Sequence, residues 1–396
     1  MKPPGMQTGG RTADFLVVGM GVIGASIAFH LAKRGAGRVL VLDRDLVGRG
    51  SSGRSSALVR MHYSLPQEVQ LALTSLDIFT HWEDYVGRPK SFRKTGFVRL
   101  VPAHEVEKLK RNVLMQQELG VRTRLISAQE LAEIEPDWVV DDVALAAYEP
   151  DSGHGDGAVT AGDLIERARE MGAQTHPRTR VDAFALEGDR VCGVVTDKGT
   201  FEAPVVICAA GAWSIPLFRD LPFRLPIAAE YHRVGILKNP PAMKRGGCAL
   251  IDSIASVYLR SEGSDMTLVG EFIGPRDIDP DDFPQSLSSD EMAELAALGA
   301  RRIPALADSG LARGVTGIYD MSPDQRPLLG RVPGVEGLFL AVGFSGMGFK
   351  ISPAVGLAMS ELLVDGRGKT VDLSIFDPGR FDAGRPIRAS YEYADE

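Results

Sequence analysis

The sequence predicts an α/β chain built from two interleaved domains. Three observations carry this prediction. A glycine-rich turn, Gly19-Met20-Gly21-Val22-Ile23-Gly24, joins a short apolar strand to a helix. A second glycine block, Gly343-Phe344-Ser345-Gly346-Met347-Gly348-Phe349-Lys350, precedes the last helix. Between them lie two strand-rich stretches that break the βα alternation.

In chain order, Phe15 to Val18 form the first apolar strand. A helix follows from about Ile23 to Arg34, with Ile23, Ile27 and Leu31 on one face. Gly35 to Gly37 end it, and Val39-Leu40-Val41-Leu42 make the second strand with Asp43 at its end. This is one complete βαβ opening. Residues 67–86 read as one amphipathic helix, through Val69, Leu73, Leu76, Trp82 and Val86. Phe97 to Val101 read as a strand, followed by a charged helix over 103–119. A helix over 161–172 closes at Gly172, and Val205 to Cys208 form a strand just after Pro204. In the strand-rich stretch 222–315, Ser288 and Glu291 have capping-box spacing and predict one helix. The last helix is expected to start at Ser352-Pro353, an N-cap followed by a proline suited to the first turn, and to stop at Gly366.

The expected division assigns residues 1–88, 148–222 and 315–396 to a nucleotide domain. Residues 89–147 and 223–314 go to an α+β substrate domain on a mainly antiparallel sheet. The chain has 396 residues, 44% hydrophobic and 24% charged, the balance of an ordinary soluble protein. A net charge of −8 argues against a nucleic-acid or anionic-membrane binder. No run of ~18 apolar residues predicts a membrane span. The first thirteen residues lack an apolar core and read as a loose arm, so the cytoplasm is the expected compartment. Cys192, Cys208 and Cys248 show no metal or disulfide spacing, and Cys208 is expected to be buried and inert. The polar tail after Pro378, with Tyr391 and Tyr393, is left open between disorder and packing on a partner, and an oligomer is possible.

The first glycine block has the spacing of a dinucleotide turn. Gly19 permits the tight turn, Gly21 lets backbone approach phosphate oxygens, and Gly24 lets the helix lie on the sheet. The helix start at Val22 and Ile23 offers free N–H groups to a pyrophosphate. Asp43, 19 residues past Gly24, suits a ribose contact with Arg44 beside it. This pattern alone does not separate NAD from FAD. A loop of small residues and arginines, Gly48 to Ser56, can wrap the pyrophosphate from its far side.

Three further blocks complete the set: Val205 to Ser214, Met321-Ser322-Pro323-Asp324-Gln325-Arg326-Pro327-Leu328-Leu329-Gly330, and Gly343 to Lys350. In this order they resemble the D-amino-acid oxidase superfamily of FAD-dependent oxidoreductases, in its sarcosine oxidase, glycine oxidase and dimethylglycine dehydrogenase branch. The resemblance runs from about residue 14 to 366. It implies a Rossmann-like FAD-binding domain interleaved with the substrate domain. It implies FAD contacts at Gly19, Gly21, Val22, Ile23, Gly24, Asp43 and Arg44, and from Ser51, Ser52, Gly53, Arg54, Ser55 and Ser56. Val181 would meet adenine through its main chain, and Ala210, Gly211 and Trp213 would lie beside the dinucleotide. Gly346, Met347, Gly348, Phe349 and Lys350 would pass near the isoalloxazine. The helix after this block would aim positive N–H groups at the charge gathering on reduced flavin.

The resemblance also implies oxidation of a C–N bond in a small amino acid or secondary amino acid. Hydride passes to flavin N5, and water hydrolyses the imine. By motif position, Arg60 and Lys350 match the cations that grip a substrate carboxylate, a planar fork and a point charge. Tyr258 reads equally as a residue hanging over the flavin or as an alternating sheet residue. His232 and Glu271 are similarly open. The stretch Gly314 to Tyr319 lacks the cysteine that tethers flavin in monomeric sarcosine oxidases, so FAD is expected to be non-covalent. His62 is expected to be a contact or solvent residue. Asp265 to Glu271 holds no oxygen-activating lysine, and Met347 stands where a histidine often does. Oxygen, a quinone and an electron-transfer protein all stay open as acceptor. A 2-hydroxy-acid dehydrogenase and an FAD-bearing subunit of a complex are the alternatives.

Overall fold

A computed structural model describes residues 10–243 and 247–393. Most of the expected N-terminal arm and the last three residues lie outside this range. The centre is a six-stranded sheet in the order Leu328–Arg331, Leu338–Val342, Val205–Cys208, Phe15–Val18, Val39–Leu42, Gln174–His176. Every pairing is parallel except the first. Its core strands read as continuous apolar runs because both faces are covered. Val17, Val39, Val41 and Ile207 face a core shared with the helices Val22–Lys33, Gly157–Glu170 and Gly348–Asp365. Leu16, Val18, Leu40, Leu42 and Val206 face the opposite core, closed by the three-stranded sheet Val181–Glu187, Arg190–Thr196, Gly199–Glu202. Cys208 lies in that second core, where burial pushes its thiol up to about 11.

The second large sheet has eight strands: Gly310–Met321, Ala228–Lys238, Met266–Glu271, Val257–Glu262, Ala249–Asp252, Phe97–Leu100, Ala146–Glu149, Arg124–Ile126. Only the contact of Ala249–Asp252 with Phe97–Leu100 is parallel. The strands Gly310–Met321 and Ala146–Glu149 run without a break across the domain boundaries placed at 315 and 148. A small sheet of Leu58–Val59, Gly153–His154 and Arg93–Lys94 sits between the parts and delivers Arg60.

Three helix expectations change. The stripe over 67–86 is two helices, Pro66–Thr80 and Trp82–Val86. The break falls at His81, whose ring takes a hydrogen-bonding position on Asp77 O, while Trp82 turns to donate to Asp163. The next change is at Gly157–Glu170, which starts four residues before the expected 161 because Asp156 caps it, accepting from Ala158 N and Val159 N. The last helix is Gly348–Asp365, so Ser352-Pro353 lie inside it rather than at its cap. Pro353 cannot donate to Phe349 O, and the Ser352 hydroxyl fills that place at 2.9 Å. The helix at Ser289–Ala300 begins with the expected Ser288/Glu291 capping box.

Candidate active site

Two adjoining cavities lie where the sheets meet. The larger, about 580 Å³, runs from the first glycine turn past Asp43, Val181 and Trp213 to Phe349. The smaller, about 150 Å³, is lined by Arg60, Tyr258 and Lys350. Tyr319 and Gly346 border both. A side chain at Gly346 would run into the Tyr319 ring, so only a glycine lets that ring pack on the backbone that borders both cavities.

The large cavity collects Gly19, Gly21, Val22, Ile23, Asp43, Arg44, Ser51, Ser52, Arg54, Ser55, Val181, Ala210, Gly211, Trp213, Gly346, Gly348 and Phe349. Ser52 Oγ accepts from Val22 N at 3.0 Å, tying the small-residue loop to the helix start. Asp43 accepts from Met20 N at 2.6 Å and Asp45 N at 2.8 Å. Burial raises its pKa. Five residues expected around the cofactor are placed differently. Gly24 and Gly53 do not line the cavity, because each packs against a backbone carbonyl, of Gly19 and Gly48 respectively. Ser56, Met347 and Lys350 line the smaller cavity instead. The early start of the last helix sets the free N–H groups of its first turn at Gly348 and Phe349, on the large cavity.

In the smaller cavity, Arg60 is held between aromatic rings, 4.3 Å from the Tyr63 centroid and 5.8 Å from Phe97. Its guanidinium also donates to His62 O. Lys350 Nζ donates to Gly346 O at 3.2 Å. Burial, then the charge of Arg60, hold its pKa well below the usual lysine range, and Glu68 opposes them. An anion entering there favours the charged form of the lysine again. Tyr258 is buried and shares a hydrogen bond with Tyr319. Burial is the main reason its pKa lies well above the usual phenol value. His232 stacks on Tyr319, with centroids 4.1 Å apart, and its Nε2 is 3.1 Å from Glu230. Glu271 is paired with Arg233 at 2.8 Å, so it is engaged rather than simply solvated. His62 is buried, not at the surface.

Three residues escaped the sequence reading. Tyr319 closes the stretch noted only for its missing cysteine. Asp281 reaches the large cavity from the segment between the strand Met266–Glu271 and the capped helix. It accepts from Arg44 Nη1 at 2.6 Å and from Trp213 Nε1 at 2.8 Å. Asp281→Ala is expected to speed release of a bound flavin about 5-fold, an exposed pair contributing ~1 kcal/mol. Release into a flavin-free trap measures it, and an unchanged rate contradicts a retaining role.

Asp320 is the third. It accepts from Gly343 N at 2.6 Å, and burial pushes its carboxyl up to about 6. Its usual value is 3.8, so between these limits the folded chain binds more protons than the unfolded one. Stability contributed by the neutral acid is therefore lost as pH rises through that window, at most about 3 kcal/mol. Asp320→Asn apoprotein should gain melting temperature relative to wild type between pH ~4 and ~6, with no further gain above. A constant difference across the window contradicts this.

The larger cavity fits FAD on its own geometry. Its lining brings together a helix start, a serine loop, a strand-end acid and a second helix start. Among the described residues, no cluster of His, Cys, Asp and Glu could hold a metal ion, and no helix is long and apolar enough to cross a membrane. A family model described as FAD dependent oxidoreductase matches residues 14–362. The chain is 28% identical over 387 residues to 4-methylaminobutanoate oxidase (formaldehyde-forming) of Paenarthrobacter nicotinovorans, covering 92% of this chain and 45% of that protein. It is 27% identical over 399 residues to mitochondrial sarcosine dehydrogenase of Mus musculus, covering 93% and 41%. It thus spans less than half the length of these two relatives. The crystal structure of L-proline dehydrogenase from P. horikoshii superposes with a TM-score of 0.87 at 28% identity, covering 96% of this chain and 100% of that one. The match over residues 14–362, nearly the whole chain, places it in the family of FAD-dependent oxidoreductases, to which it belongs.

Proposed function

We propose that the enzyme oxidises the C–N bond of a small carboxylate-bearing amine, of the secondary or N-methyl amino acid class. One observation carries this reading: Arg60 and Lys350 converge in a small cavity that meets the FAD cavity at Tyr319 and Gly346. The names of the three relatives agree, since 4-methylaminobutanoate, sarcosine and proline each join a carboxylate to a secondary amine.

FAD, when bound, supplies the two-electron acceptor for the carbon beside nitrogen. The chain's own residues bind and orient. Arg60, backed by Tyr63 and Phe97, offers a planar fork to the carboxylate, and Lys350 offers a buried point charge. The same positive field lowers the amine's pKa and favours the neutral form that reacts. Tyr258 and Tyr319, joined by a hydrogen bond, shape the wall between substrate and cofactor. The product is an imine, which water hydrolyses.

The cofactor is held non-covalently in this reading. The stretch Gly314 to Tyr319 holds no cysteine, and Cys208 and Cys248 are buried with raised pKa values. Acid precipitation should therefore release all the flavin. The activity test is anaerobic flavin bleaching across glycine, sarcosine, dimethylglycine, proline, pipecolate and D-amino acids. Positive cases repeated with oxygen and with an artificial acceptor separate an oxidase from a dehydrogenase serving a quinone or electron-transfer protein. Bleaching by none of these amines, without or with a partner protein, contradicts the reading.

A further inference from the structure

The segment from Ile387 to Tyr393 is fastened at four points, two of them on residues that line the smaller cavity. Ile387 N donates to Asp324 Oδ2 at 2.9 Å, and Asn112 Nδ2 donates to Tyr391 O at 2.9 Å. Glu392 Oε1 accepts from Arg326 Nη2 at 2.9 Å. The Tyr393 hydroxyl lies 2.8 Å from His62 Nε2, across 331 residues of chain. Three residues these side chains engage, His62, Arg99 and Arg326, line the cavity itself. The tail left open in the sequence thus packs on its own chain.

Tyr393 is the densest of these contacts. It is buried, its ring stacks on His62 at 21° with centroids 5.8 Å apart, and the Arg99 guanidinium lies 4.7 Å over its centroid. Burial, then Arg99 and Arg60, push the His62 pKa well below the usual histidine value, against a hydrogen bond with Gln116, and so favour the neutral ring. A neutral imidazole has one donor and one acceptor nitrogen. Nε2 is engaged by Tyr393, and Nδ1 sits 4.0 Å from Glu149 Oε1. The hydroxyl of Tyr393 and the ring it belongs to therefore hold the tilt of an imidazole in the cavity wall.

We infer that Tyr393 is a positioning residue for the substrate cavity, acting through His62 and Arg99 to hold the wall against which Arg60 and Lys350 receive the substrate. This rests on the carboxylate-binding reading of that cavity. Tyr393 touches neither cavity, so it reacts with nothing. Its effect is on how tightly a small carboxylate is held.

The test uses the FAD-loaded enzyme and acetate, a carboxylate without an amine, followed by the change it causes in the flavin spectrum. Tyr393→Phe keeps the stacked ring and removes the hydrogen bond to His62, so the acetate Kd and the KM of the reducing amine should both rise about 5-fold, the loss of ~1 kcal/mol. kcat and flavin retention should stay at wild-type values. In a His62→Phe background the same change should add nothing, because its partner is gone. A wild-type Kd and KM in Tyr393→Phe overturns the inference. So does a lowered melting temperature with unchanged Kd, or an undiminished effect in the His62→Phe background. Wild-type enzyme that responds neither to acetate nor to any amine removes the carboxylate reading and this inference with it. Wild-type response with an unaffected variant removes the inference alone.

Discussion

Lys350→Met is expected to lower kcat/KM for a carboxylate-bearing amine about 100-fold, with FAD still bound; Arg60→Ala should do the same. A charge-assisted hydrogen bond in a buried site contributes ~2–3 kcal/mol, and each 1.36 kcal/mol is tenfold in rate. Lys350 borders the smaller cavity and not the larger one, so its loss should spare the cofactor. Its burial adds a pH signature. The lysine's pKa is depressed while no anion is near, and a carboxylate raises it again. Binding above the depressed value therefore takes up a proton, and affinity falls as pH rises through that region. In Lys350→Met this dependence should flatten. Steady-state kinetics and acetate titrations against pH measure both effects, and either variant turning over at the wild-type rate contradicts its assigned role.

Gly24→Ala should weaken FAD binding at least ~100-fold, equivalent to ~2.7 kcal/mol. An added Cβ would collide with the carbonyl of Gly19, which is backbone and cannot rotate away. Relief requires the helix Val22–Lys33 to lift from the strand Phe15–Val18, and its N–H groups leave the cavity with it. Gly162→Ala is the control. It lies inside the helix Gly157–Glu170 with nothing within 4 Å, so it should bind FAD normally and gain up to about 1 kcal/mol in stability. Fluorescence titration of apoprotein with FAD separates the two. Near-equal affinities would show that close helix–sheet contact is not what seats the cofactor.

The parts legible in the sequence are those whose signals are local. Phe15 to Val18, the glycine turn and Asp43 lie within thirty residues of one another, and their spacing is dictated by a single turn of chain. Arg60 and Lys350 stand out in the sequence because each sits beside a motif, while their meeting in one cavity depends on the whole fold. The start of the last helix was misread for a physical reason. Its true N-cap, Met347, makes no side-chain capping bond, while Ser352-Pro353 mimics one five residues later. Asp281, Tyr319 and Tyr393 do not stand out in the sequence because their places come from packing between distant segments. Asp281 meets Arg44 and Trp213, and Tyr393 meets His62, with no pattern in the intervening chain to announce either pair. Gly53 was read as a phosphate contact by its place in a small-residue loop. The structure uses it to let that loop fold onto Gly48.

Anaerobic mixing of the FAD-loaded enzyme with matched pairs of acids, sarcosine against glycolate and proline against its ring-oxygen analogue tetrahydrofuran-2-carboxylate, tests the central claim most directly. Loss of the oxidised flavin colour with a nitrogen compound, and its persistence with the oxygen partner, is the expected result. Bleaching by the oxygen compounds alone would contradict C–N bond oxidation and assign the paired cations to a different acid.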